Sequence, residues 1–324
     1  MRIYLDHNAT TPLDPLVADR MAQALRDVWG NASSVHHFGQ QAKAALDEAR
    51  SSVASLLSAD ASEIIFTGGG TEGDNIAIRG AAEAMEPSGR KHLITCGTEH
   101  EAVLQTMKSM AKRGWKVTLL PMDASGIVSV DRLREAITDD TALVSIMHAN
   151  NEIGTVQPIA ELAAAAHERG ALFHTDAVQS AGKLPVDVRA LGVDLLSIAA
   201  HKFYGPKGAG ALWVKRGVRL LPVLTGGRQE PEFYSGHGDI VLTPGWCWHE
   251  HVHRGDGPIV WLDVLDASLH RYLGTDAFQP GPTNALPALA PDSAFTASMM
   301  VPETDDATTG YSPVFRYPWA QAAA

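Results

Sequence analysis

Cysteine is nearly missing from this chain: 324 residues contain only Cys96 and Cys247. That excludes a disulfide framework and a cysteine-based zinc site. Long apolar runs are missing too, and no stretch approaches the roughly 20 residues that span a bilayer. The opening segment, Met1 to Thr11, has no basic region leading into an apolar one, so it does not read as a signal peptide. A positive excess is also lacking. Lys and Arg total 26 against 37 Asp and Glu, a net charge of −11. With no Lys/Arg cluster, neither nucleic acid nor an anionic membrane fits as a main partner. The expectation is a soluble, cytoplasmic protein.

The last absence divides the chain. No lysine follows Lys215, and residues 231–324 hold three arginines against eleven acids, a net of −8 that leaves −3 for residues 1–230. Ten of the 18 prolines and four of the seven tryptophans also fall in that last segment. With 45% apolar residues the chain can bury one large or two ordinary cores. The composition shift predicts two segments, 1–230 and 231–324.

The first segment alternates in type. Asp14 before Pro15 forms a helix start, an N-cap acceptor with proline at the first helical position. Leu16, Val17, Met21, Ala24, Leu25 and Val28 then recur on one face, and Gly30 is the expected stop. A second helical pattern runs through Ala42, Ala45, Leu46, Ala49, Val53 and Leu56. Strands are predicted at 64–67, 92–95, 117–120, 143–147, 171–175, 195–199 and 211–214. Helices are predicted at 71–85, 101–112 and 159–168. Short apolar strands separated by helices imply an α/β fold with a largely parallel sheet covered on both faces. Ligands of such sheets gather at the carboxyl ends of the strands.

Three of those ends carry candidate chemistry. Thr67-Gly68-Gly69-Gly70-Thr71-Glu72 is a glycine-rich turn between strand and helix, able to hold a phosphate on backbone N–H groups or to serve as a plain turn. It matches neither the Walker pattern nor G-x-G-x-x-G. Asp176 ends an apolar strand, either as a local cap or as a carboxylate that pairs with a protonated ring nitrogen. Lys202, in Ala200-His201-Lys202, is either a solvated loop residue or a partly desolvated amine nucleophile. A phosphate cradle, an acid and a lysine are together the parts that pyridoxal phosphate requires.

Six ordered motifs support a more specific expectation. They are Tyr4-Leu5-Asp6-His7-Asn8-Ala9-Thr10-Thr11-Pro12, the glycine turn, Thr98-Glu99-His100, Asn150-Asn151-Glu152-Ile153-Gly154, Ala200-His201-Lys202 and Gly226-Gly227-Arg228-Gln229-Glu230. Residues 1 to about 230 thereby resemble the cysteine desulfurases of the class V aminotransferase group. The resemblance implies a fold-type I large domain that binds pyridoxal 5'-phosphate. It implies a reaction converting L-cysteine to L-alanine plus an enzyme-bound persulfide, as in sulfur supply for iron-sulfur cluster assembly. Lys202 would bond the cofactor, Asp176 would face the ring nitrogen, and His100 would stack on the ring and move protons. Gln179 and Asn151 would bond the ring oxygen and its surroundings; Gly70, Thr71 and His201 would bind the phosphate. A homodimer and a sulfur-acceptor protein follow by family analogy. One departure is Ala199, where the family commonly has a phosphate-binding serine; losing that hydroxyl costs about 1 kcal/mol.

After Glu230 the resemblance changes. The family's small domain, its carboxylate-binding arginine and its persulfide cysteine have no counterpart in residues 231–324, so little or no desulfurase turnover is expected. Gly238 to His251, with Trp261 to Asp266 and Ser312 to Trp319, resembles a piece of a gentisate 1,2-dioxygenase of the cupin type. On that resemblance His249 matches an iron(II) ligand and His251 a neighbour facing substrate, since alternate strand residues share a face. The first cupin motif is absent from the chain, so the ligand set is incomplete. The alternatives to a desulfurase-like protein are therefore an iron dioxygenase fragment or a non-catalytic chimeric product.

Overall fold

The computed structural model describes residues 3–224, 301–302 and 315–316. The chain divides into two units, Met1–Asp239 and Ile240–Ala324. In the first, helices α1 (Pro15–Asp27) and α2 (His37–Leu57) precede a regular alternation: β1 (Ile64–Thr67), α3 (Gly70–Met85), β2 (His92–Cys96), α4 (Glu101–Lys112) and β3 (Lys116–Leu120). It continues with α5 (Val130–Ala136), β4 (Thr141–Ser145), α6 (Ile159–His167), β5 (Leu172–Asp176), α7 (Val188–Leu191), β6 (Leu195–Ala199) and β7 (Gly210–Val214). In the second unit the described residues are one antiparallel pair, β8 (Val301–Pro302) with β9 (Phe315–Arg316).

The seven-stranded sheet has the order β1-β7-β6-β5-β4-β2-β3. Pairings β6–β5, β5–β4, β4–β2 and β2–β3 are parallel, while β7 lies antiparallel to both β1 and β6. Only β7 is reversed, so its first residue, Gly210, sits at the same edge as the carboxyl ends of β1 and β6, opposite Thr67 and Ala199. The expected largely parallel sheet is present. β4 starts two residues earlier than the 143–147 pattern implies and ends at Ser145. Its pairing with β5 nevertheless continues through Ile146 N–H to His174 O (3.1 Å) and His148 N–H to Asp176 O (2.9 Å).

Alternation along the strands feeds two apolar layers. Ile64, Ile94, Val144, Phe173, Leu196 and Trp213 pack with α2, α5 and α6 side chains such as Leu57, Leu133 and Leu162. Ile65, Leu93, Leu195 and Leu212 pack with Ile76, Ile78 and Ala81 of α3 and Val103 and Met107 of α4. Period-2 side-chain direction makes these the two faces of one sheet, as a parallel sheet requires.

Local rules account for most boundaries. Asp14 caps α1, accepting Leu16 N–H at 2.8 Å, ahead of Pro15 at the first helical position. The helix stops at Asp27, three residues before Gly30. Its apolar stripe is not covered by described residues: Leu16 is 75% and Leu25 80% exposed, and no α1 residue is buried. α2 starts five residues before Ala42, where the His36 ring nitrogen accepts Gly39 N–H at 3.2 Å. In the first unit two elements escaped the periodicity reading, α5 behind its Ser129 cap and the single turn α7 behind Asp187. Both are too short to show a repeat. Among the described residues no helix is long and apolar enough to cross a membrane.

Candidate active site

The carboxyl ends of β1, β2, β4, β5 and β6 share one edge, and the candidate residues of the first segment follow those ends. The loop after β1 opens a cavity of about 680 Å³ lined by Gly68, Gly69, Gly70, Thr71, His201 and Lys207, with Ala9 and Thr10 from the N-terminal segment. Gly69 has a φ of +147°, a conformation that side chains rarely adopt. A Cβ on Gly70 would sit 2.7 Å from Val178 Cγ2. The turn is therefore held against the segment that follows Asp176, with α3 starting at its end. The first N–H groups of a helix have no intrahelical acceptor, so this start is suited to an anion. Glu72 reaches back and accepts Gly68 N–H at 2.6 Å, bracing the loop.

Asp176 is 4% exposed at the end of β5. Its Oδ1 accepts Val178 N–H at 2.9 Å, which is the local cap reading realised in a turn. Burial pushes its pKa up; the Val178 N–H and the nearby His100 and Lys202 pull it back. The Lys202 Nζ donates to Asn8 O at 2.6 Å. Burial lowers its pKa, and the Lys183 charge lowers it further, against Asp176 and Asp6. Lys202 is thus a part-buried amine whose pKa is lowered, with the Asp176 carboxyl near enough to oppose that shift.

The other candidates surround this pair. The Gln179 Nε2 donates to Asn8 O at 2.7 Å. Asn151 meets the same segment through its backbone, its carbonyl accepting from Asn8 Nδ2 at 3.4 Å. His201 Nδ1 lies 3.1 Å from Thr10 Oγ1, and its pKa is lowered by burial, Lys202 and Lys207. His100 caps α4, its Nδ1 accepting Ala102 N–H at 3.1 Å, which places the proton of the neutral ring on Nε2. It also lines a second cavity of about 400 Å³ that shares Thr71 and Asn75 with the first. His249 and His251, Cys247 and the Gly226 to Glu230 motif lie outside the described residues. Among the described residues, no group of three or more His, Cys, Asp or Glu is arranged to hold a metal ion.

Sequence reasoning assigned no role to several residues that build the site. The Asn8 carbonyl is the shared acceptor of Lys202 and Gln179, and the Thr10 and Thr11 hydroxyls donate to His201 O at 3.3 and 3.0 Å. These contacts join positions 171 to 194 residues apart, with no local signal to announce them. Glu99 is a second case: its Oε1 accepts Met147 N–H at 2.8 Å and the Cys96 thiol at 3.1 Å, while its buried Oε2 has no partner. Burial pushes its pKa up to about 8. Cys96 is fully buried, and burial with the Glu99 charge pushes its thiol up to about 12, so it sits as an unreactive core residue.

A glycine-lined anion cradle, a depressed lysine and a buried carboxylate at one edge of a mostly parallel sheet define a class of protein, the fold-type I transferases built around pyridoxal phosphate. The aminotransferase class-V family model matches residues 3–239, and the chain belongs to that family. The cysteine desulfurase IscS of Dictyoglomus turgidum is 52% identical over 239 residues, covering 74% of this chain and 60% of that protein. The IscS of Anaeromyxobacter sp. strain Fw109-5 is 50% identical over 278 residues, 85% of this chain and 69% of its own length. Among solved structures, a NifS-like protein superposes with a TM-score of 0.70 at 41% identity, covering 74% of this chain and 66% of that one. SspA in complex with cysteine superposes at 0.69 with 40% identity, covering 73% and 69%. The first of these curated relatives is about three fifths covered by this chain.

The family implies pyridoxal phosphate, and the residues fit it. The cradle is closed to side chains at Gly70, Lys207, His201 and Thr71 line the 680 Å³ cavity together with Glu72, which is turned onto Gly68 N–H, and the buried Asp176 carboxyl is near a lysine of lowered pKa.

Proposed function

We propose that this protein is a cysteine desulfurase-like enzyme that binds pyridoxal phosphate through Lys202 and acts on L-cysteine. The observation that carries the reading is the convergence at one sheet edge of Lys202, whose Nζ is held on Asn8 O, the buried Asp176 carboxyl and the glycine cradle after β1. The related SspA structure in complex with cysteine supports the choice of substrate. When bound, the cofactor withdraws electrons from the amino acid's α carbon. Asp176 would hold the proton on the ring nitrogen, favouring its ionised state by the opposite charge. Lys202 would bond the cofactor and, when displaced, move the α proton. His100 would cover the ring face with its Nε2–H free to shuttle protons. Gln179 and Asn151 would hold the ring oxygen and its surroundings, while Gly70, Thr71 and His201 would hold the phosphate.

The balanced reaction is L-cysteine plus a thiol giving L-alanine plus that thiol's persulfide, with the substrate C–S bond broken and an S–S bond formed. Cys96 is a poor acceptor, since its sulfur is buried and its thiol is held against Glu99. The accepting thiol is therefore assigned to a partner protein, and turnover without an added thiol is expected to be low. A homodimer and a cytoplasmic location belong to the same reading by family analogy.

The test is reconstitution of the full chain with pyridoxal phosphate. A visible absorbance band, reducible by borohydride onto Lys202 and lost in Lys202→Ala, is expected. L-cysteine with excess dithiothreitol should then release alanine and sulfide only slowly, because the added thiol does not replace the family's carboxylate-binding arginine and small domain. A band retained in Lys202→Ala would refute the assignment.

A further inference from the structure

The turn after β5 holds a side chain with no part in the reading above. Residues 178–183 form successive turns, closed by Ala181 N–H to Ala177 O and Lys183 N–H to Ser180 O, both at 2.9 Å. They bring Gln179 and Lys183 together, and the Lys183 Nζ donates to Gln179 Oε1 at 3.0 Å. The other end of the same amide, Nε2, donates to Asn8 O, the carbonyl that also accepts Lys202 Nζ. An amide's two ends have nearly the same shape, but here both neighbours are unambiguous: an ammonium only donates and a carbonyl only accepts. Turning the amide over would break both bonds and set donor against donor and acceptor against acceptor.

The turn is also fastened to the lysine segment. Gly182 has a φ of +72°, and a Cβ there would lie 2.7 Å from Phe203 Cβ, on the residue after Lys202. Next to burial, the charge of Lys183 is the largest influence lowering the pKa of Lys202; the groups opposing it are Asp176 and Asp6.

We propose that Lys183 is a positioning residue of this site: by taking the oxygen end of Gln179, it fixes the nitrogen end on Asn8 O, the carbonyl that also holds Lys202, so that Gln179 would meet the ring oxygen of bound pyridoxal phosphate as a donor. An amide turned the other way would present lone pairs to that oxygen. The inference rests on the cofactor assignment above, and its charge component applies to the cofactor-free protein as well. Arginine at 183 preserves donor and charge; methionine preserves only the aliphatic stem.

The test has two arms, both on the full chain. In the cofactor-free protein, trace acetylation of Lys202 is followed by mass spectrometry between pH 7 and pH 10. Lys183→Met should slow labelling at pH 8 roughly two- to fivefold by removing a neighbouring positive charge. Lys183→Arg should label at the wild-type rate. In the second arm, pyridoxal phosphate affinity is read from the visible band. Lys183→Met should weaken it roughly three- to tenfold, the scale of one hydrogen bond. Adding Lys183→Met to Gln179→Leu should weaken it by clearly less than the sum of the two single losses, the remainder being the direct effect of the Lys183 charge on Lys202. Wild-type labelling and affinity in Lys183→Met, or additive losses in the double variant, would overturn the proposal. Absence of any Lys202-linked band in the wild type would instead overturn the cofactor reading, while the labelling arm still decides whether Lys183 sets the state of Lys202.

Discussion

Glu99 offers the sharpest quantitative test of the electrostatics beneath the site. It is 5% exposed, and burial raises its pKa from an ordinary 4.5 to about 8, with the Met147 N–H and the Cys96 thiol opposing and the Asp176 charge adding. A carboxyl raised on folding stabilises the native state fully below its unfolded pKa. The contribution is lost as pH climbs toward the folded value, because the unfolded chain ionises first. The slope is about 1.4 kcal/mol per pH unit, so roughly 3 kcal/mol disappears between pH 5 and pH 7. Glu99→Gln keeps an acceptor for the Met147 N–H and the Cys96 thiol and removes the ionisable group. The variant should match the wild type near pH 5 and exceed its stability by about 3 kcal/mol at pH 7. Urea denaturation at half-unit intervals from pH 5 to pH 8 measures the difference. Other buried groups, including Asp74 and His174, largely cancel in that subtraction. Parallel curves for the two proteins would show that Glu99 is already ionised in the folded state and that the reasoning is wrong.

Three further outcomes follow from the packing and the cradle. Asp194 accepts from His167 Nε2 at 2.6 Å, Phe173 N–H at 2.9 Å and Lys215 Nζ at 3.0 Å; burial would raise its pKa, but these donors outweigh it and hold it low. Its stabilisation is present above its unfolded pKa and lost as pH falls, so Asp194→Asn should cost about 2–4 kcal/mol at pH 7 and progressively less toward pH 3, read by urea denaturation. Gly210→Ala would put a Cβ 2.7 Å from Gly69 Cα and from Ile198 O, so a loss of about 1–3 kcal/mol and a lower melting temperature are expected. Ala199→Ser restores a hydroxyl near the cradle; pyridoxal phosphate should bind roughly fivefold tighter in an absorbance titration, for a gain of about 1 kcal/mol.

Much of the fold was legible because its signals are local. The strands 64–67 and 195–199 and the helix 101–112 coincide with the observed β1, β6 and α4, since each is an apolar run or stripe bounded by a turn or cap. The reversal of β7 was not legible: an apolar run on a buried strand reads the same in either direction, and only pairing assigns one. Chain ends of elements shifted where an unanticipated group supplied the cap, as the His36 ring did for α2.

The amino-acid order by itself determined which residue types stand at which strand ends: the glycine turn after β1, Asp176 after β5 and Lys202 after β6. It left each of them between a bland and a chemical role. Tertiary structure set the surroundings that bear on those roles, because desolvation and proximity depend on what the fold packs around a group. Burial lowers the Lys202 amine and raises the Asp176 carboxyl, and neither effect can be read from neighbours in the chain. The N-terminal segment, 194 residues from Lys202 and 171 from Gln179, supplies the Asn8 carbonyl that gathers them. Its hydrogen bonds are long-range in sequence and short in space, so they exist only once the sheet has formed.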